Sequence, residues 1–254
     1  MWNSINSVVK PKTLTEAYSL VDGKHVVLFG GGSYLVSEKD ETIHTLVDIN
    51  SLVNNTIKAD VEGVIIGGGA TLQAFINTVT TVNPDCRLID GCRYACPSKN
   101  IRNQRTFGGE LGKGRCDSDI LVFLNAVNAD ITVVAESKKT ESIRNWDGRG
   151  IVTQIEYIPN NIEGVELMRS ARIPSAPSVV SVCAIKKKDY FDISIGGKCS
   201  EIQTFSVPEE KWNNTEIKTI SSKVVRCFSD DQYGSLDYKH ILIETLINRS
   251  GSTL

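Results

Sequence analysis

"VVLFGGGSYLV", residues 26–36, runs four apolar residues into three consecutive glycines. The β-branched, apolar "HVVLF" (25–29) predicts a buried strand, which Gly30, Gly31 and Gly32 bring to a stop. Three adjacent glycines weaken any strand or helix, so they answer a backbone need: something must approach this main chain more closely than a side chain allows. The pattern returns in "GVIIGGGATLQAFI" (63–76), a buried strand, then Gly67, Gly68 and Gly69, then a helix-like segment. A third glycine pair closes "IRNQRTFGGEL" (101–111), ahead of the apolar stretch "ILVFLNAVNADITVV" (120–134).

Amide N–H groups bared by glycine form concave nests for phosphate oxygens. Two well-known nests fit poorly. Gly30 and Gly32 supply the G-x-G of a dinucleotide fingerprint, but Leu35 occupies the third glycine position and only Asp48 could serve the ribose. No Gly-Lys-Ser/Thr follows any loop, which excludes a Walker A motif. Each glycine run could also be a plain turn. Three runs beside buried strands favour one shared ligand.

The rest of the chain bounds the answer. Its 254 residues suffice for one large or two modest domains, and 41% hydrophobic with 23% charged residues is ordinary for a globular protein. A net charge of -2 gives no reason to expect nucleic acid or an anionic membrane as partner. No apolar run reaches the length of a membrane span, and "MWNSINSVVKPK" lacks a signal peptide's apolar core. Seven cysteines without framework spacing favour a reducing, cytoplasmic compartment. The Asn-x-Ser/Thr matches at Asn54, Asn213 and Asn248 then have no glycosylation role.

"TLTEAYSLV" (13–21) predicts a helix capped by Thr13 with Glu16 at the capping-box spacing. "TLVDIN" (45–50) and "GIVTQIEYI" (150–158) predict strands. After Pro159 the pattern changes to two alternating strands joined by the charged hairpin "KKKDY", and "DYKHILIETLINRS" spaces Ile241, Ile243, Leu246 and Ile247 as a helix. The expected domains are residues 1–160 and 161–254.

The three loops, in this order and spacing, resemble the FAD-binding subunit of molybdenum hydroxylases, the family of the xanthine, carbon monoxide and nicotinate dehydrogenase flavin subunits. The family form of the third motif is I-R-N-x-x-T-x-G-G-N with an aspartate further on. Ile101, Arg102, Asn103, Thr106, Gly108, Gly109 and Asp119 match it. "GIVTQIEYIP" and "SLDYKHILIETLINR" extend the resemblance over nearly the whole chain.

The resemblance implies an α+β chain: a vanillyl-alcohol-oxidase or PCMH-type FAD-binding fold of two α/β subdomains, then a small α+β C-terminal domain. It assigns the loops to FAD. Leu28, Gly30, Gly31, Gly32, Ser33, Tyr34 and Leu35 would wrap the pyrophosphate. Gly69, Ala70 and Thr71 would close over the phosphates and ribityl chain, while Thr106, Gly108 and Gly109 approach the flavin. Asp119 would accept from ribose hydroxyls, and Ile151 and Val152 would form an apolar wall. The implied partners are a molybdopterin-binding large subunit and a [2Fe–2S] small subunit, with NAD⁺ or another molecule as electron acceptor. A stand-alone flavin reductase of the same fold is the alternative.

Some residues depart from the family pattern. Glu110 replaces the usual Asn, so an acceptor-only carboxylate, if ionised, stands near the flavin or points to solvent. Arg105, Lys113 and Arg115 add charge for the pyrophosphate or belong to solvated loops. "MRSAR" (168–172) lacks the Lys that often precedes the family's Arg. Cys92, Cys96 and Cys116 fit no standard iron–sulfur spacing and read as ordinary thiols. No acid–base catalytic constellation and no metal-binding histidine spacing is apparent, as suits a chain whose cofactor carries the chemistry.

Overall fold

In the computed structural model, which describes residues 2–60, 62–159 and 162–254, Thr13 opens the first helix, Leu14–Leu20, as expected. Its hydroxyl accepts the Glu16 amide at 3.1 Å, while Glu16 reaches back to the Lys12 amide at 2.7 Å. Such a cap contributes about 1 kcal/mol to a helix of only two turns.

The chain forms two units that interleave in sequence. The first comprises Met1–Val82, Ser98–Gly114 and Asp130–Tyr157; the second comprises Asn83–Pro97, Arg115–Ala129 and Ile158–Leu254. The boundary residues expected at 160 and 161 lie outside the described residues, and the last change of unit falls between Tyr157 and Ile158. Residues 83–97 and 115–129 depart from the expected division. They belong with the C-terminal unit because each carries a helix that packs there.

The first unit holds two sheets. β1 (Ser7–Val9), β2 (Val26–Phe29) and β3 (Thr45–Asp48) form a parallel sheet in the order β1-β3-β2. β2 is half-buried along its length rather than fully buried as its apolar run predicts. β4 (Ile57–Ala59), β5 (Val64–Gly67), β6 (Asp130–Val134), β7 (Lys138–Ser142) and β8 (Ile151–Tyr157) form an antiparallel sheet in the order β4-β5-β8-β6-β7. Ala17 of the first helix, Val47, Ile49 and Ile151 make a small core, with Leu28 and Val53 packed against it. The apolar stretch 120–134 divides into the helix Asp119–Ala126 and β6.

The second unit is a four-stranded antiparallel meander: β9 (Gly164–Ser170), β10 (Val180–Lys187), β11 (Tyr190–Gly197) and β12 (Gln203–Pro208). The predicted hairpin joins β10 to β11, with Lys187 opposite Tyr190. Alternation along the strands puts the two faces to different use. Val180, Val182, Phe191, Ile193 and Ile195 pack against Ile217 and Ile220 of the helix Asn214–Val224 and Ile243 and Ile247 of the helix Leu236–Thr253. Ser181 and Gly196 turn the other way, to Asp119 and Val122 of the helix Asp119–Ala126. The helix Arg87–Ala95 joins the same unit through the Arg87–Glu166 ion pair at 2.9 Å.

Candidate functional site

The three glycine loops meet in the first unit. Gly68 donates to Thr153 O at 2.8 Å, and Gly108 donates to Gly68 O at 2.7 Å. Leu72 donates to Arg105 O and Phe107 to Ala70 O, so the second and third loops pair as a short antiparallel bridge at Thr71 and Thr106. Three of the glycines are needed by this docking. A Cβ on Gly31 would lie 1.6 Å from Gln104 O, one on Gly68 2.0 Å from Val152 O, and one on Gly108 2.8 Å from Gly68 O. The close approach forecast for Gly31 and Gly108 is thus made first by other parts of the main chain. Gly32 has a further reason, a left-handed φ of 67° where the chain turns into the short helix Ser33–Glu38.

Gly30 is different. A Cβ there would meet nothing nearer than the Thr106 hydroxyl at 3.8 Å, so protein packing does not demand glycine. Asn50 holds this residue in place, its amide nitrogen donating to Gly30 O at 3.2 Å and to Asp48 Oδ1 at 2.9 Å.

A cavity of about 430 Å³ opens between the loops, lined only by residues of the first unit. That volume lies in the range of roughly 300–1,000 Å³ usual for cofactor sites. Leu28, Gly30, Gly31, Gly32, Ser33, Tyr34 and Leu35 line it, as expected from the sequence. Gly69, Thr106, Gly108 and Gly109 line it from the other two loops, and Ile151 and Val152 from β8. Thr106 also caps the helix Phe107–Lys113 by accepting the Gly109 amide at 3.1 Å.

Four expected residues are placed elsewhere. Ala70 and Thr71 lie behind the wall: the Ala70 carbonyl accepts Phe107, and the Thr71 hydroxyl accepts the Ala74 amide at 3.2 Å to start the helix Leu72–Val82. Glu110 is 1% exposed rather than turned to solvent. The Tyr34 hydroxyl donates to both of its oxygens, at 3.0 and 3.2 Å, and Arg105 faces it at 3.9 Å. Asp119 belongs to the second unit and is also 1% exposed. It takes the Ser181 hydroxyl at 2.6 Å and the Ser178 hydroxyl at 2.8 Å, with Arg169 at 3.7 Å. Burial pushes its carboxyl above the usual range despite these partners. The carboxylate anchors a helix to the strand and loop carrying its serines.

The sequence left three cations undecided, and two of them line the cavity. Arg105 Nε donates to Ser33 Oγ and its Nη1 to the Tyr34 hydroxyl, each at 3.2 Å, and its guanidinium lies 4.1 Å over the Tyr34 ring. Lys113 pairs with Glu38 at 2.7 Å. Arg115 lines no part of the cavity and instead forks onto Asp117 at 2.8 and 2.9 Å. Ile49, Asn50, Val53 and Asn55 complete the floor and had no motif to announce them.

The chemistry of this wall suits a dinucleotide. Bare amides at a helix start, two cations and an open Gly30 offer donors and positive charge of the kind a diphosphate takes, while Leu28, Ile49, Val53, Ile151 and Val152 give the wall apolar area. Among the described residues no helix is long and apolar enough to cross a membrane.

Comparison with known proteins agrees. Residues 3–146 match the family described as FAD binding domain in molybdopterin dehydrogenase. The chain is 25% identical to the glyceraldehyde dehydrogenase medium chain of Sulfolobus acidocaldarius, over 94% of this chain and 95% of that one. Its fold resembles carbon monoxide dehydrogenase from Hydrogenophaga pseudoflava, with a TM-score of 0.80, 15% identity, and 98% and 96% of the two chains covered. It also resembles quinoline 2-oxidoreductase from Pseudomonas putida 86, with a TM-score of 0.76, 16% identity, and 96% and 94% covered. The chain belongs to the family of FAD-binding domains in molybdopterin dehydrogenases, and is a FAD-binding oxidoreductase subunit of the molybdenum hydroxylase type.

Proposed function

We propose that this chain is the medium subunit of a three-part complex. A molybdopterin-binding large subunit oxidises the substrate, a [2Fe–2S] small subunit carries the electrons, and this chain delivers them to NAD⁺ or another acceptor. The medium-chain relative of similar length supports the division of labour. Bound FAD supplies the redox chemistry.

The protein's part is to bind, orient and keep dry. The amides of the Gly30–Leu35 loop, with Arg105 and Lys113 beside them, would hold the pyrophosphate. Leu28, Ile151 and Val152 would cover ring faces and exclude water. Tyr34 is clamped between Arg105 and Glu110, so the loop it belongs to is fixed before the ligand arrives, which lowers the ordering cost of binding. The observation that carries this reading is the convergence of all three glycine loops on one cavity with two cations. Seven cysteines without the spacing of a disulfide framework support a cytoplasmic setting.

Co-expression with the large and small subunits tests the proposal. The three chains should co-elute at equal stoichiometry, with one FAD per medium chain and substrate-dependent reduction of the acceptor. A chain that elutes alone and oxidises NADH without partners would support the stand-alone reductase instead.

A further inference from the structure

With one exception among the described residues, the polar side chains that line the cavity are engaged with protein partners. Ser33 accepts from Arg105, Tyr34 donates to Glu110, Asn50 holds Gly30 and Asp48, Thr106 caps a helix and Lys113 pairs with Glu38. Asn55 lines the same cavity, and no described residue hydrogen-bonds its side-chain amide. That amide carries two N–H donors and a carbonyl acceptor, a set that a ligand can use.

The backbone around Asn55 is fixed although its side chain is not engaged. The Gly69 amide donates to Asn54 O and the Gly67 amide to Thr56 O, each at 2.8 Å, so the second glycine loop grips the residues on either side of Asn55. A Cβ on Gly67 would lie 2.3 Å from Asn54 O and 3.1 Å from Asn55 N. Glycine there is what lets this segment come so close. Asn54 turns its own side chain back, accepting the Thr56 amide at 2.9 Å. Val53 and Asn55, on either side of it, both line the cavity. The place of Asn55 is thus set before a ligand arrives, which limits the ordering cost of a contact to one short side chain.

From this geometry we propose that Asn55 reads the adenine of the dinucleotide, accepting from its 6-amino group and donating to a neighbouring ring nitrogen. The inference rests on the FAD reading of the cavity. On that reading the flavin ring stays within reach of an electron donor and an acceptor, whereas the adenine carries no chemistry. The ring that sinks against the first unit's small core, Ile49 and Ile151 with Val53 packed on them, is therefore the adenine. Those aliphatic side chains can hold a ring by its faces but cannot tell one base from another. An asparagine can, because adenine presents a donor beside an acceptor and one amide matches both.

Calorimetric titration of the full apo-chain with ADP and with purine riboside 5′-diphosphate, the same nucleotide without its 6-amino group, tests this. The parent should bind ADP about fivefold more tightly than the purine analogue. Asn55→Ala should bind the two alike, with ADP and FAD both weakened by about tenfold. Its urea midpoint should stay parental, because the side chain holds no hydrogen bond within the described residues. An unchanged ADP affinity in Asn55→Ala, or a preference for ADP that survives in it, would overturn the proposal. FAD weakened with ADP unaffected would put Asn55 at the flavin and overturn it equally. In each of these cases the parent still binds FAD, and the cavity keeps its cofactor. A parent that binds neither FAD nor ADP would remove the dinucleotide reading itself, and the role of Asn55 with it.

Discussion

Replacing Gly30 and Gly31 one at a time by alanine separates the two demands that the "FGGG" run satisfies. At Gly31 the new Cβ would stand 1.6 Å from Gln104 O, where real Cβ contacts stay beyond 3.0 Å. The first and third loops must part by roughly 1.4 Å, and overpacking on that scale costs about 2–3 kcal/mol of stability. Gly31→Ala should therefore lower the urea midpoint of the apo-protein. At Gly30 the nearest atom is 3.8 Å away and φ is not left-handed. The apo-protein should tolerate alanine there or gain about 0.4–1 kcal/mol from a less flexible unfolded chain. The methyl group should nevertheless intrude on the ligand, weakening FAD by about 1–3 kcal/mol, a 5- to 150-fold rise in Kd. Urea unfolding of the apo-proteins and flavin-fluorescence titration read the two effects apart. If Gly30→Ala binds FAD as tightly as the parent, the claim that ligand approach selects glycine at Gly30 is wrong. If Gly31→Ala unfolds at the parental midpoint, the loop-docking argument fails.

Other perturbations probe the remaining clamps. Arg105→Met removes the cation facing the buried Glu110 and should cost about 3 kcal/mol in urea unfolding; Glu110→Gln added to it should restore part of that loss. Lys239 is fully buried and donates to Ser229 O and Asp231 at 2.7 Å, so Lys239→Met should lower Tm by roughly 5 °C, tempered by the partial exposure of Asp231. Burial pushes Asp117 upward, but Arg115 and Lys198 outweigh it and hold the carboxyl below its ordinary value. A depressed native pKa gives stability that is full above the unfolded value of about 3.9 and lost as pH falls through the native one. Asp117→Asn should flatten the acid limb of a stability–pH curve below about pH 4 while lowering the neutral plateau; an unchanged acid limb would contradict the assignment.

The local signals in the sequence were strong where one force dominated. The apolar runs of β5 and β8, the Thr13 cap and the "KKKDY" hairpin form as read because pattern, capping and turn agree there. The glycine loops located the cavity correctly, yet their composition could not say whether a ligand or another main-chain segment makes the close approach. That distinction depends on which carbonyl lies opposite, as Gln104 O does for Gly31. The helix Arg87–Ala95 was not legible because Asp90-Gly91 interrupts it with a turn signal. The interleaved unit boundary was equally hidden, since only the third dimension shows that Asp119 meets Ser178 and Ser181. Arg105 and Lys113 could be assigned once the cavity existed, because a charge in a loop carries no periodicity.

The central claim is that the Gly30–Leu35 loop, with Arg105 and Lys113, seats the pyrophosphate of FAD. Calorimetric titration of the apo-protein with FAD and with riboflavin, which lacks both phosphates and the adenosine, tests it most directly. The account predicts one FAD per chain, riboflavin binding at least a hundredfold more weakly, and ADP competing with FAD. Equal affinity for FAD and riboflavin, or no flavin binding at all, would contradict it.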